Sequence, residues 1–452
     1  MVRRFTALGL LVASAAAIAA RRADVFTVPQ FWAEDGMEWY ARAYNEPGLA
    51  NLIAPYGGYL QLFPRIAGWL SQLVPFAAAP LLMAILALCV QAIAPVFLLT
   101  DRFAWGVPSR LARCALAILV IAVPNLMEVH VNVTNGHVHL AFLAFLVLLS
   151  EPPETRGWRV FDTAVLLLSG SSGPFCLLLW PVAVVAWWHR RDRWSVVRVL
   201  CVAVPAFVQA VLLSPFAPVP SNPTSRGVVI RTPLSPYGAT PGNLLRIFGG
   251  QIVVGGLAGW HVYVGLHDGV FAAYPWLPVL LGLAGIAFLA RAAWVTESFA
   301  LRLLLLYAAL HMAAGLASPI IIGDRPLWEM LAMPGAGQRY WYTMTLAFLA
   351  TVVWTAVADP RTPLRALAGV ALVVLVLSGI RGDWSLPPRQ DLGFAAQAER
   401  LAASPPGKIV RIPIPPAPME MLLIRGCEEP RIPVVNPERA RRLRSRRACP
   451  DR

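Results

Sequence analysis

The sequence predicts a polytopic, all-α membrane protein. Of its 452 residues, 58% are hydrophobic and only 14% are charged, whereas a soluble domain carries about 25% charged residues. The mean hydropathy is +0.61. Many apolar runs approach or exceed the roughly 18 residues that a membrane-spanning helix needs. We expect about eleven spanning helices, at 5–21, 79–99, 112–127, 138–150, 160–170, 174–188, 196–213, 274–290, 300–321, 339–357 and 364–380.

The first apolar run, 5–21, is short, ends in small residues and has two arginines at each end. These features are also typical of a cleaved signal peptide, but a retained first helix fits a multi-spanning chain better. The segment 22–78 is then predicted to be the first external loop. Within it, 34–46 has the pattern of a short amphipathic helix. The run 59–74 is too polar to span lipid, so we place it at the interface.

The distribution of arginine tests this topology. If 59–74 does not cross the membrane, five arginine-rich loops share one side of it. These loops are 100–113, 151–160, 189–198, 291–302 and 358–365. The loops 128–138 and 170–174 then share the other side, and they contain no Lys or Arg. The positive-inside rule therefore predicts a cytoplasmic N-terminus and an extracytoplasmic C-terminus.

The later part of the chain carries two unusual stretches between predicted helices. Residues 214–242 are rich in Pro, Ser and Gly, and 243–259 is an apolar segment dotted with glycines. We interpret the second stretch as a half-inserted helix. The residues after it, 259–273, are predicted to form a loop that contains His261 and His267.

The end of the chain departs from the membrane pattern. We predict a membrane domain at 1–380 and a small extracytoplasmic region at 381–452 with a basic tail. The two candidate strands of this region are 409–413 and 421–424. An oxidising compartment would allow one disulfide between Cys427 and Cys449, although the sequence leaves that pairing open.

The first external loop carries the most informative motif. It reads Phe31-x-x-Glu34-Asp35-Gly36 and then Pro55-Tyr56-x-Gly58-Tyr59-x-x-x-x-Pro64-Arg65. With an N-terminal helix before it and a long bundle after it, this pattern resembles the GT-C class of membrane glycosyltransferases, in a bacterial branch. The resemblance covers residues 1 to about 150 and rests mainly on topology beyond them. It implies an enzyme that takes a sugar from a polyprenyl-phosphate donor.

In that class a carboxylate of the first loop acts as general base on an acceptor hydroxyl or helps to hold a metal. The resemblance therefore assigns this role to Asp35 or Glu34. A positioned carboxylate accelerates such a step roughly 100- to 10,000-fold. We favour Asp35 slightly, because Gly36 after it leaves room for an acceptor. An acidic pair at a helix start is also explained by the helix dipole alone, and the two roles are compatible.

A second polar cluster lies between two predicted helices and on the same side as the acidic pair. Its members are Glu128, His130, Asn132, Asn135, His137 and His139. Imidazole and carboxylate groups ligate divalent cations, which makes Glu128 and His130 the candidate metal ligands. The spacing matches no closed metal site, however. The alternative is a patch that recognises sugar hydroxyls, with Asn132, Asn135 and His137 as candidate substrate-binding residues.

Arginines on this side are candidates for the donor phosphate, because a guanidinium binds phosphate in a bidentate way and stabilises its departure. The candidates are Arg339, Arg65 and Arg231. Tyr56, Tyr59 and Tyr340 are candidate substrate contacts beside them. Snorkelling to lipid headgroups explains the same arginines without any substrate.

The sequence thus predicts an inverting glycosyltransferase on the outer face of a bacterial cytoplasmic membrane. Its partners would be the polyprenyl-phosphate sugar donor, the lipid bilayer and a glycan, lipid or protein acceptor. Two alternatives stay open: a transporter or flippase of a lipid-linked glycan, which needs charges near the membrane midplane, and a polysaccharide ligase or polymerase. A divalent cation is the only cofactor considered. The net charge of +14 does not indicate nucleic-acid binding, because no basic patch lies on a soluble module.

Overall fold

The computed structural model describes residues 2–214, 236–321 and 324–426. Arg231, Cys427 and Cys449 lie outside the described residues. The first ten helices are α1 (Val2–Arg21), α2 (Asp24–Thr27), α3 (Ala41–Asn45), α4 (Leu62–Leu70), α5 (Ala79–Leu98), α6 (Arg110–Ala122), α7 (Gly136–Leu149), α8 (Arg156–Gly170), α9 (Phe175–Arg190) and α10 (Arg193–Leu213). The later ones are α11 (Pro241–Ile247), α12 (Gly255–Ala258), α13 (Trp260–Leu266), α14 (Leu277–Val295), α15 (Phe299–Ala317), α16 (Leu327–Leu331), α17 (Gln338–Ala358), α18 (Thr362–Val374) and α19 (Phe394–Ala403).

Irregular helical turns extend or connect these helices. Turns of π-helix occupy Asp35–Tyr40, Phe248–Val254, His267–Phe271 and Leu375–Ile380. Turns of 3₁₀-helix occupy Leu49–Ile53, Ser71–Leu73, Phe76–Ala78, Asp101–Phe103 and Met127–Val129. Such turns at helix ends and mid-helix commonly mark sites where the backbone must reposition a side chain.

The protein is an all-α membrane protein with several apolar helices. Among the described residues, six helical stretches are long and apolar enough to cross a membrane. These are Phe76–Leu98, Arg193–Leu213, Leu277–Val295, Phe299–Ala317, Gln338–Ala358 and Thr362–Ile380. Three shorter apolar helices accompany them, at Ala7–Arg21, Gly136–Leu149 and Phe175–Arg190. Each of the eleven predicted segments contains a helix. Three are helical over only part of the predicted range, because α6 ends at Ala122, α14 begins at Leu277 and α15 ends at Ala317. The number of helices that cross a membrane stays a prediction.

Helix α4 is short and packs against the turns before α7 and α9. Its nine residues rise only about 14 Å, less than half of a hydrocarbon core of about 30 Å. The amide of Leu62 donates to the Ser171 carbonyl (2.9 Å), and the amide of Phe63 donates to the Ser172 hydroxyl (2.9 Å). A side chain at Gly136 would collide with the Phe63 ring, so α4 packs closely on the start of α7. The stretch 59–74 is not among the helices long and apolar enough to cross a membrane, and its non-spanning position stays a prediction.

Several helix ends meet at one end of the bundle, which we call the site end. Arg21 is the last residue of α1. Its guanidinium donates to the carbonyls of Ile121 (2.5 Å), Val123 (3.0 Å) and Asp383 (3.1 Å). The Asp383 carboxylate in turn accepts from the amide of Asn125 (2.7 Å). This network joins the C-terminal ends of α1 and α6 to the segment that follows α18. The first external loop and the start of α7 also lie at the site end.

The opposite end is held by a buried ion-pair network around Asp162. Its carboxylate receives Arg102 in a bidentate way (2.7 and 2.8 Å) and Arg198 (2.8 Å). The same two guanidiniums donate to the carbonyls of Glu151 (2.9 Å) and Ser150 (2.8 Å) at the end of α7. Cations at a helix C-terminus also stabilise its dipole. This network therefore ties α7, α8 and α10 together.

The described part of the C-terminal region contains one helix and one hairpin. Strands β1 (Ile409–Pro413) and β2 (Glu420–Ile424) pair antiparallel, which confirms the two predicted strands; helix α19 was not predicted. The hairpin packs on the first loop. The side-chain Nδ2 of Asn45 donates to the Leu422 carbonyl (2.9 Å), and its Oδ1 accepts from the backbone amide of Ile424 (3.0 Å). The two segments thus share one hydrophobic core.

Two boundaries predicted from the sequence are wrong. Residues 259–273 are helical over α13 and the following π-turn, because Gly259, with φ of +90°, breaks one helix and lets the next begin at once. The loop predicted to reach residue 138 ends at Gly136, where α7 begins. His137 and His139 therefore belong to α7.

Replacing Asp162 with Ala should destabilise the fold strongly. The change leaves two guanidiniums buried without a carboxylate, which costs about 3–5 kcal/mol. Thermal denaturation of the protein in nanodiscs, followed by tryptophan fluorescence, measures it. Asp101→Ala, at an exposed position of the neighbouring turn, is the matched control and should leave the transition unchanged. Equal melting of both variants would contradict the network's role.

Candidate active site

Asp35 is buried and clamps the first loop to the loop before α7. Its side chain is 5% exposed. The carboxylate accepts from the Thr134 amide (2.7 Å), the Thr134 hydroxyl (2.7 Å) and the Val133 amide (3.1 Å). Burial raises the pKa of Asp35 to about 6, and the three hydrogen bonds oppose that rise. Both oxygens are therefore engaged, and the carboxylate acts here as a structural link.

Glu34, the other member of the acidic pair, is half-buried. Its carboxylate makes no hydrogen bond or ion pair with another residue in the described parts of the chain. Burial raises the pKa of Glu34 above its usual value. A hydrogen bond from the backbone amide of Glu34 itself and the charge of Arg339 oppose the rise, and Glu128 and Glu38 add to it. The two carboxylates therefore differ. Both oxygens of Asp35 accept hydrogen bonds from the protein, whereas Glu34 keeps an available carboxylate close to Arg339.

Gly36 serves packing here. A Cβ at this position would lie 2.8 Å from the Phe31 Cβ and 3.2 Å from Ile414. The expected opening for an acceptor beside Asp35 is therefore filled by the first loop and the C-terminal hairpin. Ala33, two residues before Asp35, has φ of +46°, and its amide donates to the Pro415 carbonyl (2.7 Å). This turn directs the two carboxylates to different surroundings.

Arg339 lies at the start of α17 and pairs with Glu128. Its guanidinium also donates to the Ile320 carbonyl (2.6 Å) and the Tyr340 hydroxyl (3.1 Å). The amide of Glu128 is held by Gln338 Oε1 (2.7 Å). About a quarter of each charged side chain is exposed, 26% for Arg339 and 22% for Glu128. This ion pair is accessible to a ligand, and Tyr340 lies beside it as predicted.

Arg65, a predicted phosphate ligand, is instead part of a buried network. Its guanidinium donates to Glu38 (2.9 Å) and to the Ala54 carbonyl (3.0 Å), and lies 5.2 Å from the centre of the Trp39 ring. Only 2% of the side chain is exposed. These contacts fix α4 to the π-turn at Asp35–Tyr40, so Arg65 is not placed to receive a phosphate. Sequence reasoning overlooked Glu38, its partner.

Tyr56 and Tyr59 form the two sides of a tight hairpin. Gly57 and Gly58 have φ of +64° and +88°, as the two central residues of a type I′ turn require. The Tyr56 ring packs edge-on against Trp39, with 5.1 Å between centroids. Burial raises the pKa of Tyr56 well above its usual value, and the charges of Glu34 and Glu38 add to the rise. Tyr56 therefore lies near the available carboxylate.

Asn132 and Asn135 shape the loop before α7. The side chains of both donate to the Glu128 carbonyl (2.7 and 3.0 Å), and the Asn135 amide donates to Asn132 Oδ1 (2.8 Å). Val131, just before Asn132, has φ of +51°, a strained conformation for a β-branched residue. The two asparagines hold this conformation, which presents the amides of Val133 and Thr134 to Asp35.

The histidines do not converge on one point. His130 is fully buried between Gln91 and Arg21, and burial with the nearby Arg21 charge lowers its pKa well below the usual value. His139 donates to the Val129 carbonyl (2.9 Å). His137, at the start of α7, has a buried Nδ1 without a hydrogen-bond partner among the described residues.

The two candidate metal ligands belong to different networks. Glu128 pairs with Arg339, whereas His130 contacts Arg21 at 3.1 Å. Within the described residues, no three His, Cys, Asp or Glu side chains are grouped so that they could hold a metal ion. The arrangement of Glu128 and His130 therefore does not fit a shared cation.

Arg389 is a residue near the site that sequence reasoning missed. Its guanidinium lies 4.5 Å from the centre of the Trp32 ring and 3.4 Å from the His130 carbonyl. Burial lowers the pKa of Arg389 to about 9, the Arg22 charge adds to this effect, and Asp35 and Asp24 oppose it. No local pattern marks Arg389, because it comes to the first loop from the far end of the chain.

Comparisons with protein-family models and with curated proteins find no match to this chain. The resemblance to GT-C glycosyltransferases therefore stays a prediction that rests on the residues described above.

Replacing Asp35 with Asn should loosen the loop at 131–135. An amide offers one acceptor oxygen in place of two, so at least one donor from Val133 or Thr134 loses its partner. We expect a loss of about 1–3 kcal/mol in unfolding free energy and faster hydrogen exchange of these two amides, measured by mass spectrometry. Asp324→Asn, an exposed site, should change neither. Unaltered exchange in the Asp35 variant would exclude the clamp.

Proposed function

We propose that this protein is a GT-C-type glycosyltransferase that moves a sugar from a polyprenyl-phosphate donor to an acceptor hydroxyl. The observation that carries the proposal is the division of the acidic pair. Asp35 is fixed by three hydrogen bonds, and Glu34 beside it keeps an available carboxylate near the partly exposed Arg339–Glu128 pair. An available base with a raised pKa beside a guanidinium suits proton abstraction next to a departing anion.

Glu34 is the proposed general base, and Asp35 positions it. The acceptor oxygen attacks the anomeric carbon from the face opposite the phosphate, and Glu34 takes the proton of the acceptor hydroxyl. The bond between the anomeric carbon and the phosphate oxygen breaks, and its electron pair leaves with the polyprenyl phosphate. One displacement of this kind inverts the anomeric configuration.

Arg339 is the proposed ligand of the donor phosphate. In the structure it pairs with Glu128, and both side chains are partly exposed. A phosphate that displaces the Glu128 carboxylate would keep the guanidinium paired and bring it to the leaving oxygen. The Tyr340 hydroxyl, 3.1 Å from Arg339, can donate to the same phosphate.

The position of charge favours this function over transport. In the described helices that are long enough to span a membrane, the charged residues lie near helix ends, for example Arg339 at the second residue of α17. A transporter of a charged substrate needs such residues near the membrane midplane. The proposed topology has about eleven spans in a bacterial cytoplasmic membrane, with the site end outside and the arginine-rich end in the cytoplasm.

Glu34→Gln should reduce transfer about 100- to 10,000-fold, because the variant has no base of suitable pKa. The assay follows donor consumption by purified protein in nanodiscs. Glu329→Gln, at an exposed position of α16, is the control and should keep full activity. Full activity of the Glu34 variant would refute the assignment of the base.

The wild-type rate should also fall on acidification through the pKa of Glu34, because only the ionised carboxylate accepts a proton. Burial raises the pKa of Glu34, so the loss should begin at a higher pH than an exposed glutamate would give. The residual rate of the Glu34→Gln variant should not show this loss of rate at acidic pH. If the pH–rate profiles of the two proteins had the same shape, the loss of rate at acidic pH would belong to another group.

Arg339→Gln should raise the KM for the donor and lower kcat, since the guanidinium contacts the phosphate in both ground and transition states. We expect a loss of at least about tenfold in kcat/KM, and a partial recovery in Arg339→Lys, which keeps the charge but not the bidentate geometry. Arg365→Gln, exposed at the opposite end, is the control. An unchanged donor KM in Arg339→Gln would place the phosphate elsewhere.

A further inference from the structure

A cavity of about 210 Å³ lies where the chain after α1 meets the segment before α19. Its lining includes Asp24, Val25, Val28, Gln30, Arg389 and Asp391. The volume is below the roughly 300–1,000 Å³ of sites that hold drug-sized ligands, so it suits a single small ring. The cavity is separate from the ion pair of Arg339 and Glu128.

The polar walls of the cavity are held rigidly. Asp24 Oδ2 accepts from Arg22 (2.9 Å) and from the Arg389 amide (3.0 Å). The Gln30 side chain donates to the Gln390 carbonyl (2.9 Å) and accepts from the Leu392 amide (3.3 Å). These bonds join the two segments at the cavity, so its shape does not depend on a ligand.

One polar atom of the cavity has no hydrogen-bond partner within the described parts of the chain. Asp24 Oδ1 is buried and makes no hydrogen bond to any described residue. A buried carboxylate oxygen left unpaired costs about 1–3 kcal/mol or more. Asp24 lines the cavity, and 14% of its side chain is exposed, so a small rotation of the carboxylate would bring Oδ1 to a donor on a ligand, such as a hydroxyl.

The charges in the cavity favour a neutral ligand. Arg389 offers guanidinium donors, while Asp24 and Asp391 offer acceptors. Arg22 pairs with Asp24 (2.9 Å), so the two carboxylates and the two guanidiniums balance. A cavity without net positive charge does not favour a phosphate. A neutral polyol would use both kinds of group, and its C–H faces would pack on Val25 and Val28.

The cavity also adjoins the proposed active site. Arg389 lies against the Trp32 ring at 4.5 Å, and Trp32 precedes Glu34 by two residues on the same loop. The charges of Arg389 and Asp35 act on each other. A ligand held in the cavity would therefore lie close to the loop that carries Glu34.

We propose that this cavity binds one sugar ring of a glycan acceptor, with Asp24 and Arg389 as ligands of its hydroxyl groups. The identification of that sugar as the acceptor rests on the proposed function, whereas sugar binding does not. The two claims therefore need separate measurements.

Saturation-transfer NMR on the full chain in nanodiscs tests binding without any transfer reaction. The probes are methyl glycosides of glucose, galactose, mannose and arabinofuranose, with glycerol phosphate as the anionic probe. We expect at least one glycoside to bind. Asp24→Asn and Val28→Trp should weaken it by at least about tenfold, since the first converts the unpaired acceptor into a donor and the second fills the cavity.

Val28→Trp is the safer variant for folding, because Val28 is 43% exposed. Val12→Trp, at a 61% exposed position of α1, is its matched control and should bind like the wild type. Glu34→Gln should also bind normally while losing transfer. Active Glu34→Gln would refute the catalytic proposal and leave the cavity intact. The sugar site is refuted if no glycoside binds, if Val28→Trp binds normally, or if glycerol phosphate binds in preference.

Discussion

The hydrogen bonds of Asp35 are the constraint on which the site end depends. A carboxylate this deeply buried is unfavourable unless donors surround it, and three donors from Val133 and Thr134 do so. They fix the first loop against the loop before α7, whose strained Val131 is in turn held by two asparagines. These hydrogen bonds also set the position of Glu34, because they hold Asp35, the residue that follows it. One carboxylate thereby gives its neighbour a defined place near Arg339.

The C-terminal hairpin supports the first loop from the other side. The Pro415 carbonyl accepts from the amide of Ala33, and Ile414 fills the space over Gly36. Asn45 joins the edge of β2 through two hydrogen bonds. Without these contacts the left-handed conformation of Ala33, costly for a residue with a Cβ, would have nothing to hold it. The C-terminal region is therefore part of the architecture that sets the direction of Glu34.

Local patterns in the sequence predicted the long apolar helices, the two strands of the C-terminal region and a short helix at α4, because apolar runs and polar interruptions report directly on lipid contact. They missed the short helices α13 and α19. The roles of single residues could not be predicted in this way. Asp35 and Glu34 look alike in sequence, and they differ only because the amides of Val133 and Thr134, about a hundred positions later, reach one of them. Arg65 carries the same charge as Arg339, but Glu38 binds the first and buries it. Such differences depend on tertiary partners.

Arg339 and Arg389 act on different members of the acidic pair. Arg339 lowers the pKa of Glu34, and Arg389 lowers that of Asp35, so each cation stabilises the ionised form of one carboxylate. Two carboxylates adjacent in sequence would otherwise favour sharing a proton when both are buried. Separate counter-charges and separate hydrogen bonds let them ionise independently. A single available base can then keep its own pKa while its neighbour keeps the loop in place, which is the condition that general-base chemistry at this position requires.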